Sequence, residues 1–169
     1  MIVEEIMTRK VITIKSSDTL YKAQGLMVKN SIRHLPVVQG KELEGIITES
    51  DIRGAFVQNT NGSSKITVLD PKQMKVADFM TRDPQIVQPD TNIEDAALLI
   101  YKNKIGSLPV VDDEKLVGII SILDMLGLFI DLMGIIHSSS RVDVVMDKDP
   151  NNFEAVSKII HDHGLNIIS

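Results

Sequence analysis

The sequence predicts an α/β (α+β) fold: two copies of one β-α-β-β-α unit packed with pseudo-twofold symmetry, followed by a short β-α-β tail. Three observations predict it. Ile, Val and Leu supply 53 of the 169 residues while only six are aromatic, a profile suited to aliphatic strands and helices in one core. Residues 3–56 align without a gap on 76–129, a shift of 73, with twenty identities in 54 positions; such self-similarity marks a duplicated structural unit. Within each copy, short apolar runs alternate with stretches of helical period.

The elements follow in order. Val11-Ile12-Thr13-Ile14 and, in the second copy, Ile86-Val87 read as a first strand. A helix start comes next, signalled by Asp18 in copy one and by a Thr91-Asn92-Ile93-Glu94 capping box in copy two. Leu20, Ala23 and Met27, matched by Ile93, Ala96 and Ile100, recur at helical spacing and predict one buried stripe per helix. Leu35-Pro36-Val37-Val38 and Leu108-Pro109-Val110-Val111 read as strands, with proline near the strand start where its missing N–H is tolerated. Turns at Gly40-Lys41 and at Asp112-Asp113-Glu114 lead to hairpin partners over 43–48 and 116–121. A second helix ends each unit. Residues 57–75 are a connector, with an exposed loop over 59–64 and Asp70-Pro71 closing it. One unit leaves its small sheet uncovered, and the second copy supplies the cover.

Composition narrows the function. With 18 basic and 23 acidic residues the net charge is −5, against the basic footprint that nucleic acid or an anionic membrane requires. No cysteine is present, so disulfides, thiolate nucleophiles and Cys-ligated zinc are excluded. The start Met-Ile-Val-Glu-Glu lacks the basic and apolar regions of a signal peptide. The apolar stretch 116–136 contains Asp124 and Asp131, each costing roughly 3 kcal/mol at a bilayer centre, which argues against a membrane span. The expectation is a soluble, cytoplasmic protein.

The strand-to-helix corner carries the chemistry. Gly45-Ile46-Ile47-Thr48-Glu49-Ser50-Asp51 recurs as Gly118-Ile119-Ile120-Ser121-Ile122-Leu123-Asp124. One reading is a capping box, with Thr48 or Ser121 at the N-cap and the aspartate in the first turn. The other is a ligand corner. The motif lies at the carboxyl end of a strand opening a helix, where α/β sheets bind nucleotides, and follows a glycine that lets a ligand approach the backbone. A carboxylate there repels phosphate but suits the paired hydroxyls of a ribose. The copies differ in their surroundings: Arg33, His34 and Arg53 in the first stand where the second has Gly106, Ser107 and Leu126. The first corner is therefore expected to bind a phosphorylated ligand more tightly.

With Met7-Thr8, His34-Leu35-Pro36-Val37-Val38 and the Gly45–Asp51 motif all duplicated, the chain resembles a tandem pair of CBS domains, the Bateman module, from residue 3 to about 137. That resemblance implies CBS domains over 3–56 and 76–137, two clefts between the sheets, and dimerisation of the module. It implies a sensor, not an enzyme, taking an adenine nucleotide (AMP, ADP or ATP) or S-adenosylmethionine as regulatory ligand. It places Gly45, Thr48 and Asp51, and Gly118, Ser121 and Asp124, at the ligand. The aspartates would hold ribose hydroxyls, and Thr48 and Ser121 would contact ribose or phosphate. Val11, Ile12 and Thr13, with Pro84, Gln85 and Ile86, would line base pockets near Pro36 and Pro109.

Two features remain. The helix after Ser121 is apolar on most sides, which fits burial within the pair or a dimer contact over 123–137 at its Gly127 and Gly134 face. In 140–169, an alternating run 141–147, a helix start at Asp149-Pro150, the stripe Phe153, Val156, Ile159, Ile160, a Gly164 cap and 165–168 predict β-α-β. With Asp149-Pro150 and Leu165-Asn166-Ile167-Ile168 this resembles the first half of an ACT domain, and the combination resembles the acetoin utilization protein AcuB family. His161 and His163, two apart, do not share a helix face and make no metal pair.

Overall fold

The computed structural model describes residues 1–57, 70–133, 144–145 and 151–164. By its contacts the chain divides into two units, Met1–Met125 and Leu126–Ser169.

In the first unit each repeat builds one helix and one hairpin before the corner. Helix α1 is a single turn, Val3–Ile6, and α2 runs Leu20–Asn30. Strands β1 (His34–Gln39) and β2 (Glu42–Thr48) form the first hairpin, and α3 (Glu49–Val57) follows. In the second repeat a 3₁₀ turn at Val76–Asp78 precedes β3 (Thr81–Arg82), α4 (Ile93–Asn103), β4 (Ser107–Asp112), β5 (Lys115–Ser121) and α5 (Ile122–Leu132). The sheet order is β1-β2-β5-β4, with β3 on β2. Both hairpins carry a bulge at the same place, Val37/Val38 and Val110/Val111. The first turn uses Gly40 at φ +68°, whereas the second puts Asp113 and Glu114 at +44° and +63°, the left-handed pair of a type I′ turn.

The predicted stripes are buried: Leu20, Ala23 and Met27 on α2, and Ile93, Ala96 and Ile100 on α4. With Leu35, Val37, Ile47 and their counterparts Leu108, Val110 and Ile120 they make an aliphatic core, each large side chain contributing about 1.5–3 kcal/mol. Pro36 and Pro109 are fully buried in it. The carbonyl of Pro36 accepts from Ile14 N at 3.1 Å, so the proline uses the one backbone group it has to offer.

The repeats exchange segments. Thr8 bridges Ile119 while Thr81 pairs with Ile46, and Ile2 bridges Asn92 while Lys75 bridges Thr19. Shifting either pair by 73 gives the other, the reciprocity that a twofold axis requires. The hydrogen bonds repeat it: Val76 N donates to Asp18 O as Val3 N donates to Thr91 O, both at 2.9 Å.

Several expectations are corrected. The first strands shrink to single parallel bridges, Ile14 to Val37 and Val87 to Val110, because the preceding residues pair with the other repeat instead. The helix caps lie one residue later than read. Thr19, not Asp18, is the N-cap of α2 and accepts from Lys22 N at 3.3 Å. Asp18 Oδ2 accepts from Lys15 N and both of its oxygens meet Lys22 Nζ at 2.9 Å. Asn92 is the N-cap of α4, and the Thr91 hydroxyl accepts from Gln88 N rather than capping. The connector ends in the core, with Met74 buried and its carbonyl accepting from Leu20 N; its 59–64 loop lies outside the described residues.

In the second unit the expected helix is present as α6, Asn151–Asp162. Gly164 follows at φ +70°, as its predicted role as a cap requires. The strand predicted at 165–168 lies outside the described residues, as does that at 141–147 apart from Val144 and Val145, which are in no strand.

Candidate functional site

Both corners close the same hydrogen-bonded box. Asp51 Oδ2 accepts from Thr48 N at 2.8 Å and from Thr48 Oγ1 at 2.7 Å, while Asp51 N donates back to Thr48 Oγ1 at 3.2 Å. At the second corner the same bonds join Ser121 and Asp124 at 2.7, 2.6 and 3.4 Å. The capping-box reading therefore describes the geometry. It leaves a ligand role open, because Asp51 Oδ1 takes no hydrogen bond among the described residues. One carboxylate oxygen fixes the corner and the other remains an acceptor.

The first corner opens on a cavity of about 680 Å³, within the size range of small-molecule sites. Thr48, Asp51 and Arg53 line one wall, and the exchanged segment of the second repeat, Thr81 with Asp83, Pro84 and Gln85, lines the other. Asp83 sits at φ +47°, an uncommon value for a side-chain-bearing residue. Residues 103–107, where α4 turns into β4, form the back. Its fixed charges balance: Arg33, Arg53 and Lys104 face Glu49, Asp51 and Asp83. The arginines are weakly engaged, Arg33 Nε lying 3.7 Å from Glu49 Oε2 and Arg53 Nη2 reaching Ser50 Oγ at 3.3 Å.

His34 also lines this cavity, half-buried. Its ring packs on Gly106, where an added Cβ would meet Nε2 and lie 2.7 Å from Cε1. Burial pushes its imidazole below the usual histidine range, Arg33 adds to that, and Asp51 pulls the other way. Beside Gly106, Ser107 is 4% exposed and its Oγ has no hydrogen-bond partner among the described residues.

Of the residues expected at a ligand, Arg33, His34, Thr48, Asp51, Arg53, Pro84 and Gln85 come together at this cavity. Gly45 and Gly118 lie against the exchanged segments. A Cβ on Gly45 would lie 2.6 Å from Thr81 O, and one on Gly118 would meet Met7 Sδ. The glycines admit the exchanged chain. Val11, Ile12 and Thr13 are half-buried and Ile86 is exposed; none lines the cavity. Ser121 and Asp124 form the second corner, which faces the exchanged Thr8 segment. Sequence reasoning missed Thr81, Asp83 and residues 103–107. The duplicated Thr8-Arg9 and Thr81-Arg82 were visible, but not which corner they serve.

A second surface is apolar. A groove of about 770 Å³ runs along Ile100, Tyr101, Ile105, Ile122 and Met125. Tyr101 is 81% and Leu123 75% exposed, and α5 buries none of its residues. Gly134 and residues 135–137 lie outside the described residues. No helix among those described is long and apolar enough to cross a membrane.

Comparison with known proteins agrees with this geometry. The CBS domain pair of protein MJ0100, solved in complex with 5′-methylthioadenosine and S-adenosyl-L-methionine, superposes with a TM-score of 0.66 at 30% identity, covering 76% of this chain and 95% of that one. An acetoin utilization protein (AcuB) from Vibrio cholerae gives 0.68 at 31% identity, covering 83% and 98%. CBSX2 of Arabidopsis thaliana in complex with AMP gives 0.66 at 30%, covering 78% and 97%. Inosine-5′-monophosphate dehydrogenase of Methanocaldococcus jannaschii is 32% identical over 159 residues, which are 93% of this chain but only 29% of that enzyme. The CBS domain model matches residues 3–58 and 76–131. The chain therefore belongs to the CBS domain family, as a tandem pair.

Proposed function

We propose that the chain is a regulatory ligand-sensing module, not an enzyme. It binds an adenine nucleotide (AMP, ADP or ATP), or a related adenosyl ligand such as S-adenosylmethionine, and responds by changing conformation or association. The observation that carries this reading is the first cavity, where Asp51 holds its corner through Oδ2 while Oδ1, unbonded among the described residues, would accept from a ribose. Arg33 and Arg53, which line the same cavity, would meet a phosphate, and Pro84 and Gln85 would flank a base. The adenosyl ligands in the MJ0100 and CBSX2 structures support the class. The accompanying domain limits are 3–56 and 76–137, joined by 57–75, with a partial ACT-like segment over 140–169 and a cytoplasmic location. We also infer a homodimer through helices of the pair, since Tyr101, Ile122 and Leu123 expose apolar area beside the groove.

Thermal unfolding and calorimetric titration with AMP, ADP, ATP, S-adenosylmethionine and 5′-methylthioadenosine test the reading. A ligand at 100 times its Kd should add about 2.7 kcal/mol to stability and raise Tm. No shift and no binding heat with any of the five would overturn it and leave a structural dimerisation module.

A further inference from the structure

We propose that His34 sets the charge of the first cavity, taking up a proton when a phosphate-bearing adenosyl ligand enters and so favouring anionic over uncharged members of that class. The inference rests on the adenosyl reading above and adds its regulation by pH. It stands first on charge. Arg33, Arg53 and Lys104 oppose Glu49, Asp51 and Asp83 around the cavity, so the fixed groups cancel three against three. His34 is the one further titratable group among the lining residues, and its protonation alone makes the cavity cationic.

The second support is placement. The imidazole is seated on Gly106, whose missing side chain makes the room for it. His34 also leads straight into β1, so its backbone is fixed at the cavity wall. In the other repeat the matching residue is Ser107, which does not titrate in this range. The device therefore belongs to one copy.

The third support is its resting state. Burial, with Arg33 beside it, disfavours the protonated form of His34, and Asp51 only partly offsets them. The groups facing it are Arg33 before β1, Glu49, Asp51 and Arg53 on α3, Asp83 after β3 and Lys104 at the end of α4. A phosphate arriving among them adds negative charge and stabilises the imidazolium. The proton comes from solvent. The phosphate itself does not take up this proton, because its second pKa lies near 6 and it is already mostly dianionic at pH 7.

Calorimetry of the full chain with AMP and with adenosine, at pH 7 in buffers of different ionisation enthalpy, tests this. AMP binding to the wild type should consume a fraction of a proton, adenosine binding none, and His34→Gln should abolish the uptake. The ratio of AMP to adenosine affinity should rise a few-fold as pH falls from about 8 to about 6.5, bounded at tenfold per unit by one proton. That slope should be flat in His34→Gln. An NMR titration of the wild-type imidazole keeps the test independent of the variant's folding: AMP should raise its pKa and adenosine should not. AMP binding with no proton uptake, or with uptake that survives His34→Gln, overturns the proposal while leaving the adenosyl reading intact. No binding by either ligand overturns both.

Discussion

The two corners of the pair share one geometry and differ in what surrounds it. Thr48 with Asp51 and Ser121 with Asp124 close the same box with bonds of 2.6–2.8 Å to the carboxylate. Around the first lie Glu49, Ser50 and Arg53; the matching positions of the second are Ile122, Leu123 and Leu126. Duplication has kept the part that starts a helix and changed the part a ligand would meet. The box alone is a folding device, and the proposed site rests on the difference between the copies.

The comparison breaks most severely at the glycines. Gly45→Ala would drive a methyl against the backbone oxygen of Thr81, which cannot swing aside, whereas Gly118→Ala would meet the flexible side chain of Met7. Urea unfolding should show a loss of about 2–4 kcal/mol for the first and clearly less for the second. Equal losses would mean that the exchanged segments are not held as described.

Next in size is ligand affinity. Asp51→Ala should weaken AMP binding at least tenfold, the worth of a charge-assisted hydrogen bond of about 1.5–3 kcal/mol, with a smaller effect from Asp124→Ala. Thr48→Ala and Ser121→Ala should each cost about 1 kcal/mol of stability, and nearly the same amount, because the caps match. A large inequality between the two caps would undo the claim that the boxes are equivalent.

The smallest effect is on pH. His34 has a lower pKa folded than unfolded, where it is near 6.5, so the unfolded chain binds the proton more readily. Its contribution is neutral well above 6.5, and stability is lost as pH falls through 6.5 toward the folded value. The difference in stability between wild type and His34→Gln should be constant near pH 8 and change below 6.5, with the wild type losing more.

Much of this was legible in the sequence because it is local. Hairpins, helix stripes and both corners are written in spacing and in turn residues. The exchange was not. Thr81 joins the corner of Thr48 rather than its own repeat's Ser121, a choice between identical motifs that no local pattern encodes. Caps misread by one residue have the same origin, since Asp18 and Thr91 serve the turn before the helix. The apolar helix after Ser121 was ambiguous because periodicity cannot tell a buried face from one awaiting a partner. Light scattering sharpens that point: a dimer that Leu123→Glu converts to monomer is expected, and a wild-type monomer would remove the interface.

The most direct test of the central claim is AMP titration of Asp51→Asn beside Asp124→Asn. Asparagine keeps an oxygen to accept from Thr48, so the corner stays folded, but it replaces the free carboxylate oxygen with an NH₂ donor. Affinity should fall at least tenfold in Asp51→Asn, with unfolding curves close to wild type and a lesser change in Asp124→Asn. Wild-type affinity in Asp51→Asn would contradict that claim.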